Sequence, residues 1–299
     1  MNELTLQLRE FQSSDASRIA QLVTSSVRDH WTYTPEQFTV SEHPDRFRLV
    51  AADIEVRATL NVSPFGDGAP GAFRLDFAGD AEHFNALYTL ALTRLPAHAP
   101  LIGVTREDFS EQMQFFAAAG FRNAWQSWGA HLDLARFEFA RYARLEERLF
   151  VDGYEVGPLS NDAPDADWNA LYMLSQEAVQ DAPRNPTTTP DTLSLDELRE
   201  TIRREETVFV ARHKGQLVAF TRLTLRGQQA ETEHTGVSRV HRNKGLATLL
   251  KARALAWARE QGGTQAGTGG TVLNLPMLKV NYRLGYLPEP MWVTWLLER

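Results

Sequence analysis

The most constraining feature of the sequence is one stretch, Thr235 to Lys251, which predicts a strand, a short basic turn and then a helix. β-prone residues dominate positions 231–237. Apolar residues then recur at helical spacing, as Leu246, Leu249, Leu250, Ala254 and Trp257. The other helix faces carry basic residues, which are Lys251, Arg253 and Arg259. This order limits the chain to folds in which a strand leads directly into a helix.

The turn itself, residues 242–247, is basic and made of small residues. Backbone N–H groups at a helix N-terminus point outward and favour phosphate or pyrophosphate. Gly245 has no Cβ to block a close approach, and Arg242 and Lys244 add positive charge. The spacing is neither that of the P-loop nor that of the Rossmann glycine pattern. The turn therefore predicts an anion site of another kind.

Composition excludes several classes of protein. The chain has 299 residues, a formal charge of −7 and no cysteine. Disulfides, thiolate metal sites and a cysteine nucleophile are therefore excluded, and we expect no metal cofactor. The negative charge argues against a dedicated nucleic-acid or anionic-membrane binder. Without an apolar run of about 20 residues or a signal-like N-terminus, we expect a cytoplasmic protein.

The order of predicted elements repeats once along the chain. Gly120-Phe121, after a predicted helix, corresponds to Gly285-Tyr286 near the C-terminus. The repeat predicts two copies of a unit of roughly 150 residues. We place the first domain at residues 1–136, a connecting helix at 137–150 and the second domain at 151–299.

The turn resembles the signature of the GNAT acyltransferase superfamily, through Arg242, Gly245 and Ala247, with apolar Val237 ahead of them. A second stretch, 274–286, resembles the family's Asn-capped helix that ends in Leu-Gly-Tyr. The tandem layout is similar to that of mycothiol-synthase-like members. The resemblance implies an α/β fold of two tandem GNAT-like domains, each a mixed, mostly antiparallel sheet flanked by helices.

The resemblance also implies that the second domain holds acetyl-CoA as co-substrate, with the pyrophosphate at the turn. The residues expected to bind it are Val237, Arg242, Asn243, Lys244, Gly245, Leu246, Ala247, Thr248, Asn274 and Asn281. The expected activity is N-acetyl transfer to a small primary amine, with no nucleic acid or membrane as partner. Acidic residues near the expected acceptor site would favour a cationic amine such as an amino sugar or a polyamine, namely Glu177, Asp181, Glu231 and Glu233.

The catalytic candidates lie on the strand before the turn and on the last helix. By strand alternation Glu231, Glu233, Thr235 and Val237 share one face and His234 the other. Glu233 or Glu231 is the expected general base, and His234 is expected to be structural. Asn281 stands where many members of the family carry a tyrosine that serves as the acid. An amide can donate a hydrogen bond but cannot protonate a thiolate.

The first half departs from the signature, since its corresponding stretch carries Asp76, Asp80 and Glu82. Like charges oppose a pyrophosphate there, so we expect this domain to have lost acyl-CoA binding and to serve as a scaffold or as a wall of the substrate site. The glycines of 262–270 predict either a weak strand edge or a close approach of ligand to backbone. A second reading of the whole chain stays open, in which it is a non-catalytic acyl-CoA-binding sensor or partner protein.

Overall fold

The computed structural model describes residues 6–66, 70–187 and 193–299, and they form two compact units. Unit 1 comprises Met1–Gln126, Asn185–Thr189 and Pro290–Arg299. Unit 2 comprises Ser127–Arg184 and Pro190–Glu289.

The elements follow the sequence in an α/β order. The strands are β1 (Gln7–Glu10), β2 (Phe47–Ala52), β3 (Val56–Pro64), β4 (Phe73–Gly79), β5 (Leu101–Arg106), β6 (Arg122–Asp133), β7 (Tyr154–Pro158), β8 (Glu206–His213), β9 (Gln216–Arg226), β10 (Gln229–Val237), β11 (Gln265–Thr271), β12 (Leu287–Pro288) and β13 (Trp292–Leu297). The helices are α1 (Ala16–Ser26), α2 (Phe84–Leu92), α3 (Ser110–Ala118), α4 (Ala143–Val151), α5 (Asp165–Asp181), α6 (Leu195–Glu205), α7 (Leu246–Glu260) and α8 (Leu275–Leu284). Within the described ranges, none of these helices is long and apolar enough to cross a membrane.

The two units repeat one pattern of strand pairing. In unit 1, β1 to β4 pair in antiparallel succession, β4 pairs with β5 in parallel, and β13 pairs antiparallel with β5. In unit 2, β7 to β10 are antiparallel, β10 and β11 are parallel, and β6 pairs antiparallel with β11. The mixed, mostly antiparallel sheet predicted for each half is confirmed.

The last strand of each half belongs to the other unit. Strand β13 closes the sheet of unit 1, while residues 127–133 of β6 lie in unit 2. A single cut along the chain cannot separate two units when each contains a strand from the other half of the sequence. The boundaries at residues 136 and 151 therefore stay a prediction about chain order, whereas the compact units also include the exchanged strands.

Alternating strand residues separate the two faces of the unit 2 sheet. Val208 and Val210 pack in one core cluster with Trp168 of α5 and Leu198 of α6. Phe209, between the two valines, lies 6.3 Å from the ring of Trp257 on α7. Because side chains alternate along a strand, α7 covers the face opposite to α5 and α6.

The hairpin and the helix ends follow their sequence signals. Strands β8 and β9 join through Lys214 and Gly215, which both have positive φ, as the two-residue turn requires. Asn274 caps α8, because its Oδ1 accepts the N–H of Met277 at 3.3 Å. Gly285 ends that helix in the left-handed region. The cap and the end expected for α8 are confirmed.

One predicted helix face is wrong. The sequence places Lys251 with Arg253 and Arg259 on the outer faces of α7, yet Lys251 is only 2 % exposed. Its Nζ donates to Thr268 Oγ1 at 3.3 Å and lies 5.5 Å from the centre of the Tyr286 ring. Burial lowers the pKa of this amine to about 7. The error arises because α7 is enclosed on more faces than its apolar stripe indicates.

Candidate active site

The site begins where two parallel strands of unit 2 part. Strands β10 and β11 pair only from Gln229–Glu231 to Gln265–Gly267. Beyond this point β10 continues beside β9 to Val237, and β11 continues beside β6 to Thr271. The parting leaves an opening between β10 and β11, directly ahead of the basic turn.

The turn between β10 and α7 has a backbone that its sequence explains. A 3-10 turn at Arg239–His241 follows the strand, and Asn243 and Gly245 then adopt positive φ of 64° and 99°. Asparagine and glycine tolerate this region better than other residues. Gly245 is the residue immediately before the first turn of α7.

The turn presents a row of free backbone donors. Within the described chain, the N–H groups of residues 243–248 have no hydrogen-bond acceptor, and the first bond into the helix is Leu249 N–H to Gly245 O at 3.0 Å. Consecutive free amides at a helix N-terminus form a site for an anion. This arrangement fits the pyrophosphate expected there.

Gly245 also leaves room for the neighbouring helix α4, which the sequence does not reveal. A Cβ at this position would lie 2.8 Å from Leu145 Cδ1 and 3.4 Å from Arg148 Nη2, both on α4. The glycine therefore lets α4 pack against the turn, in addition to permitting the positive φ. The expectation that its missing Cβ only makes room for a phosphate is incomplete.

The charges at the turn differ from expectation. Arg242 donates to Val237 O at 2.9 Å and to Asp181 Oδ2 at 2.5 Å, and Arg239 also pairs with Asp181. These two guanidinium groups hold the pKa of Asp181 well below its usual range. Glu177 accepts the backbone N–H of Arg239 at 2.9 Å. Arg242 and Asp181 are thus committed to each other, and neither offers a free charge.

Two other cations remain available at the turn. Lys244 pairs with no carboxylate in the described chain, and its Nζ lies 5.6 Å from the centre of the Tyr154 ring. Arg148 of α4 donates to Lys244 O at 2.8 Å and likewise lacks a carboxylate partner there. Sequence reasoning missed Arg148, because the interleaved charges of 137–150 resemble an ordinary solvated helix face.

A bulge in β10 overturns the predicted arrangement of the carboxylates. Glu231 pairs with Thr224 and His234 with Arg222, with the register shifting between Thr232 and His234. Thr224 and Arg222 are two residues apart, so Glu231 and His234 share a face. Thr235 pairs with Thr221 on the opposite face, and their hydroxyl oxygens are 2.7 Å apart. The expected common face of Glu231, Glu233, Thr235 and Val237 is wrong.

Glu231 stands at the point where the strands part. Its carboxylate occupies the space that a Cβ on Gly267 would fill, and it accepts a bond from Gln229 Nε2 at 3.1 Å. Burial raises the pKa of Glu231, with smaller contributions from the charges of Glu233 and Glu289. Such a carboxylate is a stronger base than an exposed one.

Glu233 and His234 follow Glu231 along β10, at the bulge. Glu233 Oε1 accepts the hydroxyl of Thr224 at 3.1 Å. Burial lowers the pKa of His234 to about 4, so its ring is neutral near pH 7. That ring meets the Phe220 ring edge-on at 5.3 Å, which agrees with the structural role expected for it.

Asn281 on α8 is the least satisfied polar group of the site. It is 1 % exposed, and neither Oδ1 nor Nδ2 has a partner in the described chain. Buried amides are normally hydrogen-bonded, and an unsatisfied one costs about 1–3 kcal/mol. Asn281 therefore retains an unused donor and acceptor on the helix where the resemblance places a ligand contact.

The glycines of β11 do not mark a weak strand edge, and the groups close to Gly267 and Gly270 are side chains of the protein. Strand β11 pairs along its whole length with β6. Gly267 makes room for Glu231, and a Cβ on Gly270 would meet the Trp128 ring at 3.0 Å. These glycines accommodate neighbouring side chains of the same unit.

Comparison with known proteins agrees with this geometry. Residues 168–286 match the family model described as the acetyltransferase (GNAT) family, whose members transfer acetyl groups. No curated protein matches the chain significantly.

Solved structures resemble nearly the whole chain. A GCN5-related N-acetyltransferase from Sphaerobacter thermophilus is 14 % identical, with 98 % of this chain and 95 % of that chain covered and a TM-score of 0.64. A tandem GNAT protein from the clavulanic acid biosynthesis pathway is 21 % identical, with 98 % of both chains covered and a TM-score of 0.56. At these identities the likeness concerns the fold. Residues 168–286 thus match the acetyltransferase (GNAT) family model, and the chain as a whole has the fold of a tandem GNAT protein.

Proposed function

We propose that unit 2 binds acetyl-CoA and transfers its acetyl group to the primary amine of a small molecule. The observation that carries this proposal is the row of free N–H groups at 243–248, directly beyond the opening between β10 and β11. Acetyl-CoA would supply an activated acyl group, and its pyrophosphate is the kind of anion that such a row accepts.

The residues present fit this co-substrate. Lys244 and Arg148 supply positive charge beside the free amides. Asn281 has a buried amide with unused hydrogen-bonding capacity. Arg242 supports the site without a free charge for the ligand, because its bonds to Val237 O and Asp181 fix the shape of the turn. Val237, Leu246 and Asn274 serve as parts of the strand and the two helices that frame the site.

Glu231 is the preferred general base. An amine must lose a proton to attack a carbonyl carbon, and a half-buried carboxylate with a raised pKa can accept it directly or through water. Glu233, on the same bulge, is the second candidate. The acceptor amine thereby meets two carboxylates, whereas Glu177 and Asp181 are already engaged by Arg239 and Arg242.

A non-catalytic acyl-CoA-binding role is the second candidate function. It is favoured by Asn281, which carries no transferable proton, and by Tyr286, whose pKa burial holds well above its usual range. Tyr282, the neighbouring tyrosine on α8, is 77 % exposed. A protein of this kind would bind acetyl-CoA and signal to a partner without chemistry.

A thiol-release assay separates the two roles. The full chain with saturating acetyl-CoA would be offered amino sugars, polyamines and arylalkylamines, and free CoA thiol would be measured with a chromogenic disulfide. We expect release that depends on one amine class and on Glu231, with Glu231→Gln as the matched variant. Tight acetyl-CoA binding without amine-dependent release across the panel would favour the binding role.

A further inference from the structure

Unit 1 contains a cleft at the place that corresponds to the site of unit 2. Strands β4 and β5 pair only from Phe73–Leu75 to Leu101–Gly103 and then part. The cleft beside them has a volume of about 370 Å³, which is in the range of small-molecule sites. Its walls are rich in aromatic rings, namely Trp31, Tyr33, Phe38, Phe109 and Trp292.

The cleft cannot hold a CoA in the way proposed for unit 2. The turn after β4 carries Asp80 and Glu82, and the N–H groups where it begins are already used, since Gly79 N–H bonds Ser26 Oγ and Asp80 N–H bonds Arg57 O, both at 2.9 Å. The Phe116 ring occupies the space beside Gly103 at the end of the paired segment. A ligand of this cleft must therefore be small and must be recognised by side chains.

The cleft holds one guanidinium that the protein leaves unpaired. Arg48 donates to Thr59 Oγ1 at 3.4 Å and lies 5.1 Å from the centre of the Phe38 ring. Asp76 attracts it only at longer range, and no carboxylate of the described chain forms a salt bridge with it. Burial lowers the pKa of Arg48 to about 10, so it remains a cation at neutral pH. A cation that is partly desolvated without a partner anion is unfavourable.

The other charges of the cleft cancel. Arg74 Nε donates to Asp76 Oδ1 at 2.7 Å, and Asn61 Nδ2 contacts the other carboxylate oxygen at 3.5 Å. Arg48 thus leaves the cleft with one net positive charge. Guanidinium matches a carboxylate with two parallel hydrogen bonds, and aromatic walls suit a flat apolar body.

We infer that unit 1 binds a small aromatic monocarboxylate, with the carboxylate on Arg48 and the ring among the aromatic side chains. This site is distinct from the acetyl-CoA site proposed in unit 2 and does not depend on it. Unit 1 then serves as a ligand-binding unit rather than as a scaffold alone.

The test is a titration of the full chain with benzoate, phenylacetate and 3-phenylpropionate, each against its primary amide. Tryptophan fluorescence is a suitable signal, because Trp31 and Trp292 line the cleft. We expect saturable one-to-one binding of at least one acid, and at least tenfold weaker binding of its amide. Equal affinities for acid and amide, or no saturable binding by any of the three acids, would overturn the inference.

Variants tie the binding to Arg48. Arg48→Met should weaken the acid at least tenfold, and Arg48→Lys should weaken it less while keeping the preference for acid over amide. Arg18→Met is the matched control, since Arg18 bonds Val56 O and Glu55 outside the cleft. Binding that survives Arg48→Met in a protein with unchanged thermal unfolding would refute the assignment. The acid titration is then repeated with saturating acetyl-CoA. Because the acid site lies in unit 1, we expect the same acid affinity with and without acetyl-CoA, and also if unit 2 does not bind acetyl-CoA at all.

Discussion

The turns that follow the parting strands in the two units differ in their charge and in their free backbone N–H groups. Each unit has a parallel pair of three residues, after which one strand leads into a helix. In unit 1 that turn carries the exposed acidic residues Asp80 and Glu82, and the N–H groups of Gly79 and Asp80 are bonded within the protein. In unit 2 the turn carries Lys244 and amides that are free. The framework provides an opening, and the turn determines which charge it attracts.

The registers align the two sites residue by residue. Leu75 pairs with Gly103 in unit 1, and Glu231 pairs with Gly267 in unit 2. The helices that follow end alike, with Phe121 N–H bonded to Phe116 O and Tyr286 N–H bonded to Asn281 O. Unit 1 thus has an apolar residue where unit 2 has its candidate base, and a phenyl ring where unit 2 has an unsatisfied amide. The two units therefore share a pattern of strand pairing and differ in the side chains at these two positions and in the bulge of β10.

Making unit 2 resemble unit 1 at the base position should have the largest effect. Glu231→Leu copies Leu75, and we expect amine-dependent turnover to fall 10²–10⁴-fold, the usual contribution of a general base. Acetyl-CoA affinity should stay within a few-fold of wild type. Steady-state rates and calorimetry on the same preparation check both parts, and undiminished turnover would transfer the role to Glu233.

The pH profile sharpens the same assignment. The base must be ionised to act, and burial raises the pKa of Glu231 above the ordinary 4.5. The rate at low substrate should therefore rise with pH through a pKa above 4.5, and Glu231→Gln should remove that limb. A limb that persists in the variant would belong to another group.

The buried cations of the two units should respond oppositely to removal. In unit 1, Arg106 is 4 % exposed and bonds both oxygens of Asp108, at 2.6 and 2.7 Å. Arg106→Met leaves that carboxylate without its partner and should destabilise by about 1–3 kcal/mol. In unit 2, Lys251 has no carboxylate partner in the described chain, and Lys251→Met should stabilise by roughly 2–4 kcal/mol at pH 7.

The sign of the Lys251 effect gives a pH test. Because its folded pKa of about 7 lies below the ordinary 10.5, the unfolded chain binds more protons between these values. The stability of the wild type should therefore gain from raising the pH from 7 to 10, and the advantage of Lys251→Met should shrink over the same window. Denaturant unfolding at pH 7, 8.5 and 10 measures this. An advantage that does not change with pH would mean that Lys251 is already solvated.

Removing the free cations of the unit 2 turn should have the smallest effect. Lys244→Met and Arg148→Met should each weaken acetyl-CoA binding several-fold and reduce its dependence on salt. Arg253→Met is a control, because Arg253 pairs with Glu146 and stacks on Phe139 instead. Equal losses in all three variants would indicate a general effect on the stability of α4 and α7.

The sequence was most informative where chemistry is local. The capping Asn274 and the terminating Gly285 depend on nearby backbone conformation, and the sequence predicts both. The repeat and the family resemblance also came from motifs in the primary structure. The strand exchange could not be read, because it depends on which unit accepts β6 and β13.

Within the site, each wrong prediction concerns a feature that the local sequence pattern does not encode. A bulge at Glu233 changes which side chains share a face, and alternation carries no signal for it. Arg242 looked like a free cation, but its partner Asp181 is 61 residues away in the chain. The helix pattern indicates neither the burial of Lys251 nor the contact of Arg148 with the turn, because both depend on the elements packed against these side chains.

Calorimetric titration of the full chain with acetyl-CoA, for the wild type and for Gly245→Trp, tests the proposed site in unit 2 directly. We expect one site per chain, lost in the variant, because the side chain would be strained at positive φ and would press on Leu145. Gly215→Trp is the control, since that glycine has a similar φ but open space around it. Two equivalent sites in the wild type, or one site that survives Gly245→Trp in a folded protein, would contradict the division between the two units.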